Sequence, residues 1–244
     1  IINNRKFLQC DNFIRPLHGL GQTLWQRSFI GGSYYIAQSN TKKTVKATMP
    51  DNVLVQNTLI GISGGTVYGL MSNSAAMVRG YMWSDTTRTF MSSCRQLVAA
   101  QGWMVFSRGL KSSVLRDSTQ GIVYENTREW LQQEVKYCFT DEFFKQHKSL
   151  IEFVTNAAAA CSGVVVSAPF NYARSMQFGT PANIPAPSIT EVLTTVKKEA
   201  IYSGNNPYLF YVKKFKLGLG TFRAGVGMAV GQAAFENVKA FLGD

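Results

Sequence analysis

Three ionisable residues lie in the apolar parts of helix-forming stretches. Arg116 and Asp117 are neighbours within residues 101–131, and Arg223 lies within residues 216–242. An ionisable side chain inside an apolar helix in a membrane is costly, so its presence indicates a function. Arginine binds carboxylates through paired hydrogen bonds, and an aspartate can hold an ammonium group. We therefore predict that these residues contact a small solute. The alternative is that Arg116 and Asp117 satisfy their neighbours in a static bundle.

These residues occupy equivalent places in three imperfect copies of one unit. Each copy opens with a Gly-Leu pair, at positions 19–20, 109–110 and 218–219. Near the start of each copy, the positions treated as equivalent are Gln26 with Arg27, Arg116 with Asp117, and Arg223. The period of about a hundred residues is too long for a solenoid repeat of 20–50 residues. It suits a unit of two long helices and a connecting segment.

Two segments of the chain, residues 53–78 and 153–173, contain no charged residue. Each is long enough to cross a bilayer as a helix, which needs about 20 residues. Both are rich in small residues, and Gly61, Gly65 and Gly69 recur at every fourth position. Small residues at this spacing let helices approach closely within a membrane. The same periodicity is compatible with a buried helix of a soluble protein.

The final helical pattern ends with an aromatic residue, an acid and a base at fixed spacing, Phe235-Glu236-x-x-Lys239. The helical pattern before it carries a partial version at residues 128–132, in which only the acid, Glu129, remains. The recurrence of one motif at the ends of two long helices supports the repeat.

A second motif ends the uncharged segments. Residues 169–174 read Pro-x-Asn-x-x-Arg and end at Arg174, whereas residues 74–79 keep only the final base, Arg79. In order and spacing, these motifs resemble those of the mitochondrial carrier family, the three-repeat solute transporters of the inner membrane. Odd-numbered helices of that family end in Pro-x-acidic-x-x-basic, and even-numbered helices end in aromatic-acidic-x-x-basic.

The resemblance implies an all-α membrane protein, a mitochondrial-carrier-like bundle of about five transmembrane helices with short matrix helices. The first odd-numbered helix of the family pattern has no counterpart in this sequence, so an incomplete three-repeat barrel is expected. Its units are a partial first repeat at residues 1–45, a second repeat at 51–137 and a third at 148–244, all within one membrane domain.

The resemblance also implies where a substrate would bind. Substrate contacts in the family lie part-way along the even-numbered helices, at places that here hold Gln26, Arg27, Arg116, Asp117 and Arg223. An Arg-acid pair at the second place is similar to that of carriers of amino-acid-like substrates. A small anionic or amino-acid solute is therefore one expected partner.

Membrane lipids, cardiolipin in particular, are further expected partners. The family binds cardiolipin at basic-Gly turns, and Gly102, Arg108 and Gly109 match part of that pattern. Free N–H groups at helix starts suit phosphate. No other cofactor and no metal site are expected, because the four cysteines are scattered without metal-ligand spacing.

The gating pairs of the family are eroded in this sequence. Carriers close their matrix side with salt bridges between the odd-helix motifs, but here Ala76 and Asn171 replace the acids, and only the bases Arg79 and Arg174 remain. On the other side only the motif at residues 235–239 is complete. A transporter needs two states with different contacts, and the pairs that would define them are missing.

We therefore predict a transport-impaired, non-enzymatic protein of the mitochondrial inner membrane. It would serve as a structural accessory subunit of a large complex of the respiratory-chain type, in contact with other inner-membrane subunits. The alternative is an active carrier that exchanges a small carboxylate or amino-acid-like metabolite. Retention of Arg116, Asp117 and Arg223 favours the alternative, and the loss of both odd-helix acids disfavours it.

The strong positive charge could also indicate nucleic-acid binding. The formal net charge is +11, but charged residues make up only 16% of the chain, which is low for a nucleic-acid binder. Such binding needs basic residues clustered on a face with interleaved aromatic residues. The one such cluster, residues 213–216, is equally explained as a basic cap beside a membrane helix. No nucleic-acid partner is expected.

Local signals predict where elements end. Residues 41–50 and 139–148 are polar and predict loops, and the proline-rich residues 181–187 predict a helix break. Ser188 with Glu191 three positions later predicts a capping box that starts a new helix.

Overall fold

The protein is all-α in the part of the chain that the structure describes. The structure is a computed structural model that describes residues 20–82, 89–180, 184–204 and 206–242, and no strand occurs in these ranges. The helices are α1 Leu20–Thr48, α2 Val53–Met82, α3 Phe90–Gln101, α4 Leu110–Cys138, α5 Asp141–Gln146, α6 Lys148–Gly179, α7 Ile189–Tyr202, α8 Pro207–Lys214 and α9 Leu219–Leu242, and a short 3-10 helix, Trp103–Ser107, precedes α4. The predicted all-α class is confirmed.

The five long helices, α1, α2, α4, α6 and α9, pack in chain order, each against the next. The first and last also approach each other, because a Cβ atom built on Gly231 of α9 would lie 3.7 Å from the Tyr35 hydroxyl of α1. Helices α3, α7 and α8 follow the ends of α2 and α6. They therefore lie at the end of the bundle where α4 and α9 begin.

Glycine allows α2 and α4 to pack backbone against backbone. A Cβ atom on Gly61 would lie 2.5 Å from the carbonyl carbon of Gly121, and one on Gly65 would lie 2.5 Å from Cα of Ser118. Real Cβ atoms do not approach so closely, so any side chain here forces the helices apart. The glycine spacing noted in the sequence is thus a contact surface, as predicted.

Polar side chains are buried in the bundle beside apolar ones. The buried polar side chains come from four of the long helices and include Gln38, Asn73, Ser113, Asp117, Glu125 and Asn156. Large apolar side chains are exposed on the long helices, among them Leu54, Leu70, Leu115, Val166, Phe222 and Val230.

By length and composition, one helix among the described residues, α6, is apolar enough to cross a membrane. The prediction of about five transmembrane helices is therefore not confirmed by hydropathy. Part of the reason is visible in α2 and α4, which direct Asn73, Ser113 and Glu125 into the interior. Polar side chains that face other helices lower mean hydropathy without facing lipid.

The short helices α3 and α7 pack against the long helices α2 and α6, respectively. Leu97 of α3 is buried with Met77 and Val78 of α2 and with Val105 of the 3-10 helix. In α7, buried side chains recur every fourth residue, at Val192, Val196 and Ala200, and this face packs on α6. The surface helices are therefore amphipathic.

Some of the helix boundaries predicted from the sequence are confirmed, and others are wrong. The capping box of Ser188 and Glu191 is present at the start of α7. Two predicted loops are wrong, since α1 continues to Thr48 and the segment 139–148 contains α5. In α1, Thr44 and Thr48 donate their hydroxyls to carbonyls one turn earlier, so their polarity is satisfied within the helix. Polarity alone therefore did not break it.

Candidate functional site

A cavity of about 900 Å³ lies between the long helices. All five contribute to its wall, and the residues 213–217 between α8 and α9 close part of it. Four tyrosines line it, Tyr34 and Tyr35 from α1, Tyr68 from α2 and Tyr172 from α6. The size suits a metabolite, and the wall offers both aromatic surface and hydroxyl groups.

Arg116 and Asp117 line this cavity together. Arg116 donates from Nε to Oδ1 of Asp117 at 2.7 Å, and its Nη2 lies 2.5 Å from the same oxygen. The two side chains are 16% and 6% exposed. Both arginine contacts use one carboxylate oxygen, and the other, Oδ2, is buried without a hydrogen-bond partner. The pair therefore keeps an unused acceptor inside the bundle.

Asn171 links this pair to Arg174. Arg174 donates from Nη2 to Oδ1 of Asn171 at 2.9 Å, and Nη1 of Arg116 lies 3.5 Å from the same oxygen. The Arg174 guanidinium also lies over the Phe178 ring, 5.5 Å from its centre. At the position where the carrier motif has an acid, a neutral amide thus serves two arginines. With Asp117 as the nearby acid, this part of the interior has an excess of positive charge.

A second buried network lies further along α4, and the sequence interpretation missed it. Gln38 of α1 donates to Glu125 Oε1 at 2.9 Å, and Arg128 Nη2 lies 2.9 Å from Glu125 Oε2. Tyr124 donates to Asn156 of α6 at 3.3 Å. The signal was present, because Tyr124-Glu125-x-x-Arg128 has the same aromatic-acidic-x-x-basic order as residues 235–239. It lies one helical turn before residues 128–132, where the sequence interpretation placed the motif.

The structure brings only part of the predicted substrate site together. Arg116 and Asp117 line the cavity, whereas Arg223 is exposed and does not, and its neighbours Thr221 and Ala224 line the cavity instead. The misplacement has a geometric reason, since consecutive helical residues differ by about 100° in direction. The side chains of Gln26 and Arg27 lie outside the described residues.

Of the predicted gate residues, Arg174 donates to Asn171, whose Oδ1 also lies 3.5 Å from Arg116 Nη1. Arg79 is half-buried, and Glu129 accepts from Gln133 of its own helix at 3.2 Å. The side chains of Glu236 and Lys239 lie outside the described residues.

The predicted lipid-binding residues flank the 3-10 helix. Gly102 and Gly109 have φ angles of 69° and 75°, which glycine adopts without strain. Arg108 donates to the carbonyl of Thr180 at 2.6 Å and to that of Ile184 at 3.0 Å. Its guanidinium therefore ties the start of α4 to the segment after α6, in addition to any role towards lipid.

Among the residues that the structure describes, no group of three or more His, Cys, Asp or Glu side chains is placed to hold a metal ion. The chain matches none of the protein-family models, curated proteins or solved structures with which it was compared. Its class is therefore argued from the motifs, the burial pattern and the cavity.

Proposed function

We propose that this chain is a mitochondrial-carrier-like protein of the inner membrane that no longer alternates between two open states. It serves as a structural accessory subunit of a large complex of the respiratory-chain type. The observation that carries the proposal is the loss of the acids at positions 76 and 171 of the two odd-helix motifs. Arg174 is held by Asn171 and lies over Phe178, both on its own helix, and the preceding odd-helix motif offers Ala76 instead of an acid.

The burial pattern supports a membrane location. Exposed apolar side chains are found on every long helix, for example Phe29, Ile62, Leu115, Val165 and Phe222. Extended apolar surface of this kind suits lipid chains or the apolar faces of other subunits. In a membrane the polar interior is not an anomaly, since polar side chains there face one another.

Lipid is part of the proposed environment. Cardiolipin or another anionic lipid would find Gly102, Arg108 and Gly109 together where α4 begins. Arg95 and Lys111 are exposed nearby in the sequence. From position 86 to position 116 the chain has no acidic residue. This positive surface favours the anionic side of a bilayer.

The test is purification of the native protein in mild detergent, with the mass of the particle and its accompanying subunits recorded. We expect stable co-migration with a large inner-membrane assembly. A free particle of 27.0 kDa plus bound lipid and detergent would contradict the proposal.

The second candidate is an active carrier of a small carboxylate or amino-acid-like metabolite. The observation that favours it is the cavity, whose wall includes Arg116 and Asp117. Reconstituted liposomes would then take up labelled amino acids or dicarboxylates, and Arg116→Ala would abolish uptake. Arg223→Ala is the matched control, because Arg223 is exposed and outside the cavity wall. Equal loss in both variants would exclude this site.

A further inference from the structure

One short segment closes the cavity at the end where α6 finishes and α9 begins. Residues Lys213-Lys214-Phe215-Lys216-Leu217, hereafter the strap, all line the cavity, and they are the lining residues that do not belong to one of the five long helices. The strap comprises the last two residues of α8 and the turn before α9.

Side chains latch the strap to two other helices. Lys214 Nζ lies 2.5 Å from Glu199 Oε2 of α7, and the same ammonium lies over the ring of Tyr172 of α6, 5.5 Å from its centre. Phe215 meets Tyr172 edge to face with ring centres 5.8 Å apart, and it stacks on Tyr211 of α8. An ion pair, a cation–π contact and an aromatic contact therefore converge on two strap residues.

The backbone of the strap is held in an uncommon conformation. Lys216 has a φ angle of 56°, the only positive φ of a non-glycine residue among the residues described. The N–H of Leu217 donates to the carbonyl of Val212 at 2.9 Å, and that of Lys216 donates to Lys213 at 3.2 Å. This is the Schellman ending of a helix, in which glycine is the usual left-handed residue. A lysine in this position stores strain that the latch contacts must offset.

The surroundings of α8 allow it to move as a unit. Gly204 precedes it with a φ angle of 61°, and Gly218 follows the strap with a φ angle of 157°. No atom lies within 4 Å of a Cβ atom built on either glycine. Glycines in open space on both sides of a short helix provide hinge points.

We propose that the strap is a latched gate that closes this end of the cavity. The Lys214–Glu199 pair and the Tyr172 ring hold it shut. Movement of α8 about Gly204 and Gly218 opens the cavity on the side where α3 and α7 lie. The proposal depends on the cavity and the strap contacts, so it stands whether the protein is a structural subunit or a carrier.

A cysteine behind the strap reports on this gate. The four native cysteines are replaced by serine, and Ala168→Cys is introduced in the cavity wall, one helical turn from Tyr172 on the side away from the end of α6. The rate at which a charged maleimide modifies this thiol in the purified full chain follows the population of the open state. A separate version that keeps only the exposed Cys138 gives the rate of a freely accessible thiol.

We expect slow modification at position 168 relative to Cys138. Lys214→Gln and Glu199→Gln should each raise the rate by about threefold to tenfold, the change expected when a partly exposed charge-assisted contact is lost from an opening equilibrium. Lys213→Gln is the matched control, since its neighbour Lys214 makes the ion pair and Lys213 is exposed. The modification rate of this variant at position 168 should equal that of the reporter chain with an unsubstituted strap.

A charge exchange separates gate opening from general loss of structure. Lys214→Glu alone should open the gate, and combination with Glu199→Lys should restore slow modification because the ion pair is re-formed with reversed sign. Equal rates for Lys213→Gln and Lys214→Gln, or a double variant as reactive as Lys214→Glu alone, would overturn the proposal. A reporter thiol that reacts as fast as Cys138 in the unsubstituted strap would also overturn it.

Discussion

The Arg116–Asp117 pair illustrates how a neighbouring acid and base behave when both are withdrawn from water. Charges in an interior are costly to bury, and their attraction repays that cost only with good geometry and further hydrogen bonds. Here the arginine reaches one oxygen of the carboxylate, and Asn171 supplies a further acceptor. The remaining oxygen, Oδ2 of Asp117, has no partner. The pair is therefore held in place, but one carboxylate oxygen stays unsatisfied where solvent does not reach it.

Removing one member of the pair should cost more than removing both. Arg116→Met leaves Asp117 as an unpaired buried charge, and about 3 kcal/mol of stability should be lost. The double variant Arg116→Met, Asp117→Leu should recover most of this loss. Unfolding by denaturant in mixed micelles measures both. As a control, Lys148→Gln breaks an exposed pair with Glu152 at 3.8 Å and should change stability by less than about 1 kcal/mol. A double variant that loses as much stability as Arg116→Met alone would contradict the coupling of the two buried charges.

The positive φ angle of Lys216 allows a backbone effect to be separated from a side-chain effect. Lys216→Gly and Lys216→Ala both remove the ammonium, but only glycine relieves the left-handed strain. The glycine variant should be more stable than the alanine variant by about 1 kcal/mol. Comparison of their unfolding midpoints tests this, and equal midpoints would show that the turn is not strained.

At the scale of elements, the positions of glycine residues determine how closely the helices pack. The α2–α4 contact depends on Gly61, Gly65 and Gly69, and similar small positions, Gly163 and Gly225, bring α6 close to α4 and α9. Because the atoms nearest to Gly61, Gly65 and Gly69 belong to the backbone of α4, that contact cannot adjust by rotating a side chain. Close packing at small residues is the means by which helices associate when the surrounding medium is as apolar as the helix surfaces.

Alanine should therefore have opposite effects at two helical glycines. A Cβ atom on Gly65 would lie 2.5 Å from Cα of Ser118, so Gly65→Ala should destabilise the protein by about 1–3 kcal/mol through overpacking. Gly32 of α1 has nothing within 4 Å of its Cβ position. Gly32→Ala should be neutral or stabilising by up to about 1 kcal/mol, because alanine favours helix. Thermal unfolding in detergent compares the two, and destabilisation by Gly32→Ala as large as that by Gly65→Ala would refute the packing argument.

The latch of the strap should respond to alkaline pH. The hydrogen bond with Glu199 raises the pKa of Lys214 above its ordinary value of 10.5, and the Tyr172 hydroxyl adds to this effect. A raised pKa means that the ammonium contributes stability at pH values below 10.5, and that this contribution is lost as the pH rises through the higher folded-state value. The difference in Tm between the unsubstituted chain and Lys214→Gln should thus be present at neutral pH and vanish in strong alkali. A difference that is independent of pH would mean that the lysine acts through packing alone.

At the scale of the whole molecule, polar side chains are buried beside apolar ones, and large apolar side chains are exposed on every long helix. The interior holds amides, hydroxyls and charged pairs together with apolar residues such as Ile60, Val78 and Ala160. One helix, α6, is apolar enough by composition to be a span, yet outward apolar faces occur on all five long helices. The proposed membrane location depends on these faces more than on the hydropathy of any segment.

Site-directed spin labels test that location directly. A label at Ile62→Cys, which is 40% exposed on the outer face of α2, should be reached readily by oxygen and poorly by a polar nickel complex in liposomes. A label at Tyr202→Cys on the surface helix α7 should show the reverse. The predicted contrast follows because oxygen concentrates in the apolar bilayer core. Side chains in the middle part of a transmembrane α2 would lie in this core. Similar access of the nickel complex to both labels would contradict a transmembrane α2.

Much of the helical framework was readable from the sequence because its signals are local. The uncharged segments 53–78 and 153–173 lie within α2 and α6, and the Ser188–Glu191 capping box marked the start of α7. The polar end of α1 and the charged segment containing α5 were wrongly predicted as loops, since helices there satisfy polarity through their own carbonyls and through exposure. The functional assignments based on the family resemblance remain proposals.

The sequence by itself determined most of the helices, the glycine faces and the neighbouring Arg116 and Asp117, because each depends on residues close together in the chain. Only the tertiary structure decided which side chains share the cavity. Placement on a common wall depends on helix rotation and on contacts between distant segments, which removed Arg223 from the site and brought Asn171 into it. The strap was decided in the same way, because Lys214 acquires its partners from α6 and α7 only when the bundle is assembled.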